Sequence, residues 1–402
     1  MIDQSTNLDD LSKYSLQLNR WYLKPIGAWP PSRSTSRIER MISIVLIVIC
    51  YCSILFTVIP CMMHIVLEDE DLYKKLKMVG PLSHWFMGGV NYTMLLMRGK
   101  EIRYCVEHLE TDWRLITRAK DQRIMLKSAK LGRYVAGFCA AFMQGSVFAY
   151  CVLTTFTTHL VQDGNQIRTV RMLPCQFYRK LLDVETSPTN ELVIASQYLS
   201  GFIVNSSAVA AFSLAIVFAS HACGQLKILM NWITEFVDEY EGQPEEVYCD
   251  KIGVVVEHHL RVLSLISRIE VVMNRICFSE LFKCTLNICM IGYYILMEWN
   301  YHDFKNVIIY FMILFSMCFN MFIVCYIGEV LTEQCKKVGE IVYMTNWYYL
   351  PAKTILDLLF IIARSSIVIK ITAGKIIYMS VYTFGHMVKT AFAYINLLRQ
   401  YT

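Results

Sequence analysis

Long apolar runs alternate with charged segments along the whole chain. A helix of about 20 apolar residues, at 1.5 Å per residue, crosses the roughly 30 Å hydrocarbon core of a bilayer. The pattern therefore predicts an all-α membrane protein with seven transmembrane helices. The predicted spans are 41–67, 78–97, 134–162, 192–226, 276–297, 306–328 and 376–400.

Three of these segments differ from plain membrane anchors. The fourth run is charge-free for 35 residues, about 52 Å as a single helix, so we expect it to extend beyond the membrane. The fifth carries Glu280 and Lys283 in its first two turns, either as neighbours on one helical face or outside the hydrocarbon. The connector 163–191 is predicted to be an irregular loop, and loops of this length are often functional or form a lid.

The last span carries a stripe of polar positions. At 100° per residue, Thr383, His386, Thr390, Tyr394 and Leu397 fall within roughly 80° of one another. A charge near the middle of the span, Lys389 here, costs at least about 2.5 kcal/mol if lipid surrounds it. The helix therefore borders an aqueous pathway or is buried in its own bundle, and the stripe alone leaves both interpretations open.

Composition supports a membrane protein and gives no sign of an enzyme. Hydrophobic residues make up 55% of the 402 positions and charged residues 18%, against about 25% charged in soluble domains. The net charge of +5 is too small to indicate a nucleic-acid partner. The fifteen cysteines form no C-x-x-C pair, and phosphate-binding and hydrolase motifs are missing. We expect no cofactor and no metal, and no signal peptide, so that the first span itself directs insertion.

The basic residues are concentrated on one side of the membrane. Segments 1–40, 98–133, 227–283 and 329–375 contain 28 Lys and Arg, whereas 68–77, 163–191 and 298–305 contain 8. The positive-inside rule places the first group in the cytoplasm. The amino terminus is then cytoplasmic and the carboxyl terminus extracellular, the reverse of a G-protein-coupled receptor.

Several motifs resemble those of the insect odorant receptors. The likeness covers the topology of the whole chain and is strongest in its last seventy residues. Where family members often have a proline, residues 367–368 are Ile-Val, and where many have Ser-Tyr-Ser, residues 391–393 are Ala-Phe-Ala. The matching residues are Asn19-Arg20-Trp21, Gly27-Ala28-Trp29-Pro30, the segment 106–114, Leu173-Pro174, Trp347, Pro351, Ala363-Arg364-Ser365, Ile371-Thr372-Ala373-Gly374-Lys375, Thr383-Phe384, Lys389-Thr390 and Tyr394.

The resemblance implies an odorant-gated cation channel subunit in the plasma membrane, assembled as a hetero-tetramer with a shared co-receptor. It implies three regions: a cytoplasmic segment 1–40, a six-helix bundle 41–328 that holds the odorant pocket, and 329–402, where the last helix is split into a cytoplasmic anchor and a pore-lining part. Leu397 is the expected pore constriction, because an apolar ring can gate by dewetting. The expected pore residues are His386, Thr390, Tyr394, Asn396 and Leu397.

The ligand implied is a small volatile odorant held in an apolar pocket in the outer half of the bundle, with lipid around it. A gustatory receptor of the same architecture, a G-protein-coupled receptor and a transporter are the alternatives, in that order. From the depths that the topology implies, the expected odorant contacts are Trp85, Phe86, Met87, Phe148, Cys151, Thr155, Tyr198, Phe202, Asn205, Tyr310 and Met312.

Overall fold

The computed structural model describes residues 4–32, 35–163, 166–239, 245–300, 304–367 and 369–400, and most of these residues are helical. Seven of the helices each overlap one predicted span, which confirms the all-α membrane fold. They are α2 (Arg37–Leu67), α3 (Leu72–Met97), α5 (Ala119–Thr155), α6 (Thr189–Asp238), α7 (Glu245–Asn300), α8 (Phe304–Met344) and α10 (Val381–Gln400). The other helices in the described part are α1 (Gln4–Leu23), α4 (Gly99–Leu115) and α9 (Ala352–Ser366).

The helix α6 forms the centre of the bundle. Its most apolar stretch is 94% buried, whereas the corresponding stretches of α2 and α5 are only 22% buried. Among the described residues, α2, α5, α6 and α8 are long and apolar enough to cross a membrane by composition. The exposed faces of α2 and α5 are apolar. Such large apolar surfaces are unfavourable in water and are suited to contact with lipid. The polar residues of α3 and α7 bond to each other across the interface of these two helices.

Small residues allow α5 to approach α6 closely. A Cβ added to Gly132 would lie 2.9 Å from the Oγ of Ser220, and one added to Gly224 would lie 2.9 Å from the Oγ of Ser128. In a membrane, where apolar side chains gain nothing by leaving lipid, such small-residue contacts supply the packing between helices.

The bundle has two ends that differ in composition. The basic end contains α1, α4, α9 and the adjoining halves of α6 and α7. The loop end contains the connections α2–α3, α5–α6 and α7–α8. Both α6, with 50 residues, and α7, with 56, extend far beyond a bilayer toward the basic end, which confirms the protrusion predicted for the fourth run.

A buried carboxylate holds three helices together at the basic end. Asp112 of α4 accepts hydrogen bonds from His108 Nδ1 at 3.2 Å, His221 Nε2 of α6 at 2.8 Å and Arg261 Nε of α7 at 2.8 Å. Burial alone would raise the pKa of Asp112, but the hydrogen bonds and charges of the two histidines outweigh it and leave that pKa lowered. This contact explains the aspartate in the motif at 106–114.

Part of the long connector is a β-hairpin, which the sequence analysis did not predict. The helix α5 ends at Thr155, and β1 (Thr158–Asp163) pairs antiparallel with β2 (Gln166–Arg171). The predicted span 134–162 is therefore too long, and the prediction of an irregular loop is wrong for 166–171. These short segments are rich in residues that favour strands, but they lie between a long helix and a loop, where the helical period dominates the pattern.

A second small hairpin separates α9 from α10. Strands β3 (Thr372–Ala373) and β4 (Ile377–Tyr378) pair around a turn in which Gly374 and Lys375 have φ of 63° and 61°. The split of the last helix is thus confirmed, but α10 begins at Val381 rather than at residue 376. Residues in the left-handed conformation cannot belong to an α-helix, so α9 and α10 are separate helices.

The chain before the first span is also more ordered than its polar composition indicates. Residues 4–23 form the helix α1, which buries Leu16, Asn19 and Leu23 against the bundle. The next helix, α2, begins after Ser36, whose hydroxyl accepts a hydrogen bond from the backbone N–H of Glu39 at 3.2 Å. This is the Ser-x-x-Glu pattern of a helix amino terminus.

Candidate ligand cavity and pore helix

A cavity of about 630 Å³ lies among α3, α5, α6, α7 and α8, and the connector residues 172–176 close part of its wall. This volume is typical of a site for a small organic molecule. Much of the wall is apolar. The apolar lining residues include Met143, Val147, Leu153, Ile291, Ile309, Ile313, Met317 and Met321.

One wall of the cavity is a polar interface between the antiparallel helices α3 and α7. Side-chain hydrogen bonds join the two helices at three successive levels. From the loop end inward, they are Lys77 Nζ to Glu298 Oε1 at 2.6 Å, Ser83 Oγ to Asn287 Oδ1 at 3.2 Å, and Asn91 Nδ2 to Glu280 Oε1. Because a polar group facing lipid is costly, these pairs fix the register of α3 against α7.

The two charges of the fifth span form a buried ion pair on this wall. Lys283 Nζ lies 2.7 Å from Glu280 Oε1, and both residues are buried. Of the two locations left open by the sequence, the structure has the charges inside the bundle, on one face of α7. Both residues line the cavity. Within a membrane protein, such charges are rare and mark functional positions.

The connector after β2 is tied to α5 and α6 at the cavity wall. The side-chain amide of Gln197 in α6 pairs with the backbone of Cys175, with distances of 3.0 Å to its N and 2.8 Å to its O. Tyr150 of α5 donates to the carbonyl oxygen of Pro174 at 3.0 Å. Since Tyr150, Pro174 and Cys175 all line the cavity, this part of the connector is a fixed wall rather than a free loop.

The structure brings three of the expected odorant contacts, Trp85, Asn205 and Tyr310, to the cavity. Trp85 is buried and donates its indole N–H to Ser200 Oγ at 2.8 Å, so it is not a simple interface anchor. Three others lie beside each other behind the wall, where Tyr198 donates to Thr155 Oγ1 at 3.2 Å and Thr155 to Cys151 O at 2.8 Å. Met87 is half-buried outside the lining, and four expected contacts are exposed on the outer surface of the chain: Phe86, Phe148, Phe202 and Met312.

Apart from Glu280 and Lys283, the polar residues of the α3–α7 wall were not predicted, although the sequence contains a signal for them. In α3, Lys77, His84 and Asn91 recur every seven residues, and in α7 so do Glu280, Asn287 and Tyr294. A seven-residue spacing returns to nearly the same helical face. Two polar stripes of equal period on two spans predict a pair of facing helices.

In the single chain, α10 presents most of its expected pore residues to the outside. Met387, Ala391 and Ile395 form its buried face. Thr390 is half-buried, and its hydroxyl donates to the backbone oxygen of His386 at 2.8 Å. The remaining expected pore residues are exposed: His386, Tyr394, Asn396 and Leu397.

The helix that lines the cavity also touches α10. Ile291 of α7 lines the cavity, and a Cβ added to its neighbour Gly292 would lie 2.4 Å from Cδ1 of Ile395. At the start of α10, Glu329 of α8 accepts a hydrogen bond from the backbone N–H of Val381 at 2.8 Å. A displacement of α7 or α8 at the cavity therefore reaches α10 by direct contact.

The hairpin before α10 is attached to α7 as well. The backbone N–H of Gly374 donates to the carbonyl oxygen of Asn274 at 2.7 Å. Thr372 donates its hydroxyl to Glu270 Oε1 at 2.6 Å. The motif at 371–375 is thus the support that sets where α10 begins.

Comparison with known proteins finds one family. The profile described as 7tm odorant receptor matches residues 74–392. The chain is similar to odorant receptor 13a of Drosophila melanogaster, with 26% identity over 196 residues, covering 45% of this chain and 46% of that protein. It is also similar to odorant receptor 10 of Aedes albopictus, with 23% identity over 250 residues. The chain spans about half the length of the relatives it matches.

The fold is similar to that of a solved insect receptor. The olfactory receptor OR5 from Machilis hrabei in complex with eugenol superposes with a TM-score of 0.76 at 14% sequence identity, covering 98% of this chain and 100% of that one. The same receptor in a second structure gives a TM-score of 0.71. At this identity, the likeness extends to the architecture.

Proposed function

Because this chain belongs to the 7tm odorant receptor family, whose profile matches it over residues 74–392, we propose that it is an odorant-gated cation channel subunit. One observation carries the proposal: α7 both lines a cavity of about 630 Å³ and contacts the helix α10. A small molecule that changes the packing of α7 in the cavity is then coupled directly to α10.

The pore is proposed to form where the exposed side of α10 meets other subunits. In one chain, this side carries His386, Asn396 and Leu397, which lie away from the buried face. The polar side chains of His386 and Asn396 are poorly suited to lipid and well suited to a water-filled path. The division of the chain into 1–40, 41–328 and 329–402 belongs to the same proposal.

The orientation and the partners are further parts of this proposal. The excess of Lys and Arg at the basic end supports a cytoplasmic amino terminus and an extracellular carboxyl terminus. The resemblance supports a tetramer with a shared co-receptor subunit, and we expect no odorant-evoked current from this chain alone. A carboxyl-terminal epitope should be accessible on unpermeabilised cells, and an epitope detected only after permeabilisation would contradict the orientation.

The test is an excised-patch recording from cells that express this chain with an insect co-receptor, in nucleotide-free solution. A panel of volatile odorants should evoke a non-selective cation current within milliseconds. A response that requires intact cells supplied with GTP would contradict direct gating.

A matched pair of substitutions on α10 tests which side faces the pore. Leu397→Ala alters the expected pore constriction, whereas Phe392→Ala truncates a large exposed residue about 140° around the same helix from Leu397. We expect Leu397→Ala to change ion permeability ratios and Phe392→Ala to leave them as they are. Equal ratios in the unsubstituted channel and in both variants would contradict the proposed pore face.

A further inference from the structure

Three cavity-lining residues have a buried polar atom without a hydrogen-bond partner among the residues that the structure describes: Glu70, His84 and Asn320. Glu70 Oε2, at the loop end, has His64 Nε2 at 3.6 Å, which leaves Nε2 of His84 and Oδ1 of Asn320 deeper in the cavity. Asn320 is 3% exposed, and its Nδ2 is already bonded to the backbone oxygen of Ser316 at 2.7 Å. A buried polar group without a partner is costly. An acceptor without a partner at the wall of a cavity, as Asn320 Oδ1 is, points to a ligand that donates to it.

Lys283 adds hydrogen-bond donors at the same wall. An ammonium group has three N–H bonds, and within the described part of the chain the acceptor of Lys283 is Glu280. The carboxylate of Glu280 also accepts from Asn91, so this acceptor is well satisfied. Lys283 is 4% exposed and lines the cavity, so an N–H bond that Glu280 leaves unused is available to a ligand there.

These groups come from three helices and lie within one stretch of the cavity about two helical turns long, in which Lys283 is between the levels of His84 and Asn320. Ser83 contacts Asn287, which places His84 of α3 beside the turn of α7 that contains Lys283. Cys284, next to Lys283, lies 3.8 Å from the backbone oxygen of Met317, and Asn320 follows one turn later in α8. A ligand atom in this stretch can therefore reach a donor from α7 and an acceptor from α8.

The charges in this stretch select a neutral group. The charges of Lys283 and Glu280 cancel, so an anion beside Lys283 would meet no net positive charge and would face the bare oxygen of Asn320. The other cations of the lining, Lys74, Lys77 and Arg179, lie toward the loop end, where Lys77 pairs with Glu298 and Arg179 with Glu185. An amine would have to compete with Lys283 and Asn91 for Glu280. Burying a charge without a partner is far costlier than burying a neutral polar group. A hydroxyl group, which both accepts and donates, matches Lys283 and Asn320 together.

We propose that the cavity binds a small, neutral apolar molecule with a hydroxyl group, an alcohol or a phenol. Its oxygen accepts from Lys283 Nζ and its proton is donated to Asn320 Oδ1, while the carbon skeleton lies against Met143, Val147 and Ile313. The proposal rests on the proposed function in taking this cavity as the odorant site, and it names the chemical class of the odorant.

The test measures binding, not current, in the full chain purified in detergent. The concentration dependence of its thermal stabilisation gives a Kd for each probe. Three probes of nine non-hydrogen atoms share a linear skeleton: 1-octanol, 1-methoxyheptane and nonane. Three more share an aromatic one: 2-phenylethanol, benzyl methyl ether and propylbenzene. The anion octanoate completes the panel.

We expect at least one of the two alcohols to bind about tenfold or more tightly than the ether and hydrocarbon of its skeleton, because only the alcohol satisfies both Lys283 and Asn320. Octanoate should bind more weakly than 1-octanol. Equal affinities within both series, a preference for octanoate, or no binding by any probe would overturn the proposal.

Two variants locate the effect. Asn320→Leu has nearly the same shape but lacks the acceptor oxygen, so the advantage of the alcohol over the ether should fall to within about twofold. Met317→Leu, which alters only apolar wall, should keep that advantage. If Asn320→Leu does not fold, the probe series on the unsubstituted protein still tests whether the cavity prefers a hydroxyl group. Binding of alcohols without any evoked current would count against the channel and not against the ligand class. Equal currents from 1-octanol and nonane would count against the ligand class and not against the channel.

Discussion

Asp112 is the residue at the basic end whose loss should weaken the fold most. It is 4% exposed and joins α4 to both α6 and α7 through His221 and Arg261. The substitution Asp112→Ala removes the acceptor of all three hydrogen bonds at once and leaves their donors without an anion. No other acidic residue is described within hydrogen-bond distance of these three donors.

The expected loss is about 3 kcal/mol of unfolding free energy. Removing one member of a buried ion pair costs about 3–5 kcal/mol, because the other charge stays buried. The lower end applies here because the side chain of Arg261 is 29% exposed and can be partly hydrated.

Chemical unfolding of the purified receptor, followed by circular dichroism, measures this loss. The matched control is Glu110→Ala, in the same helix, which removes a half-exposed ion pair between Glu110 and Arg20 at 3.5 Å. An exposed pair of this kind contributes about 0–1 kcal/mol. If the two variants lose the same free energy, then Asp112 does not hold the helices together and the reasoning is wrong.

The pH dependence gives a second check on Asp112. Its pKa is lowered in the folded state, so its contribution is present above the unfolded pKa of about 3.9 and is lost as the pH falls further. The difference between the unsubstituted protein and Asp112→Ala should therefore persist from pH 8 to pH 5 and shrink only below about pH 4. A difference that vanishes near pH 6 would contradict the role given to the carboxylate of Asp112.

Three more outcomes follow from the structure. Burial, with the charges of Arg364 and His258, lowers the pKa of His259 to about 4. The stability that its neutral form contributes is present above about pH 6.5 and should fall by about 2 kcal/mol by pH 5. His259→Gln should flatten that part of the pH profile of Tm. Gly292→Ala should reduce odorant-evoked current at normal surface expression, since its Cβ would lie 2.4 Å from Cδ1 of Ile395, and Ile395→Val, which lacks that atom, should restore the current. Trp85→Phe should lose about 1 kcal/mol of stability through its hydrogen bond to Ser200, and unchanged unfolding in denaturant would contradict this.

The arrangement of spans could be predicted from the sequence because the bilayer imposes one period and one length on them. The positions of hairpins could not, since strands of two to six residues leave too short a pattern. The start of α10 was misplaced for the same reason: the turn at Gly374 and Lys375 interrupts an apolar run without a proline.

The cavity was harder to predict than the fold. Trp85, Asn205 and Tyr310 lie at the cavity, but depth in a membrane says nothing about which side of a helix faces inward. The outward direction of Phe148 and Phe202 depends on the rotation of α5 and α6, which packing against neighbours determines. The polar wall needed two helices to be compared with each other, and a single span examined alone does not reveal it.

The length of α7 turns a small movement into a large one. Lys283 at the cavity and Arg261 at Asp112 are 22 positions apart in one helix. This separation is about 33 Å at 1.5 Å per residue. A tilt of only about 3° about the cavity would carry Arg261 by about 1.7 Å, enough to break a hydrogen bond of 2.8 Å. A small tilt of α7 at the cavity therefore becomes a larger displacement at its far end, where the hydrogen bonds of Asp112 can break. A ligand too small to span the bundle can in this way be sensed where no ligand atom reaches.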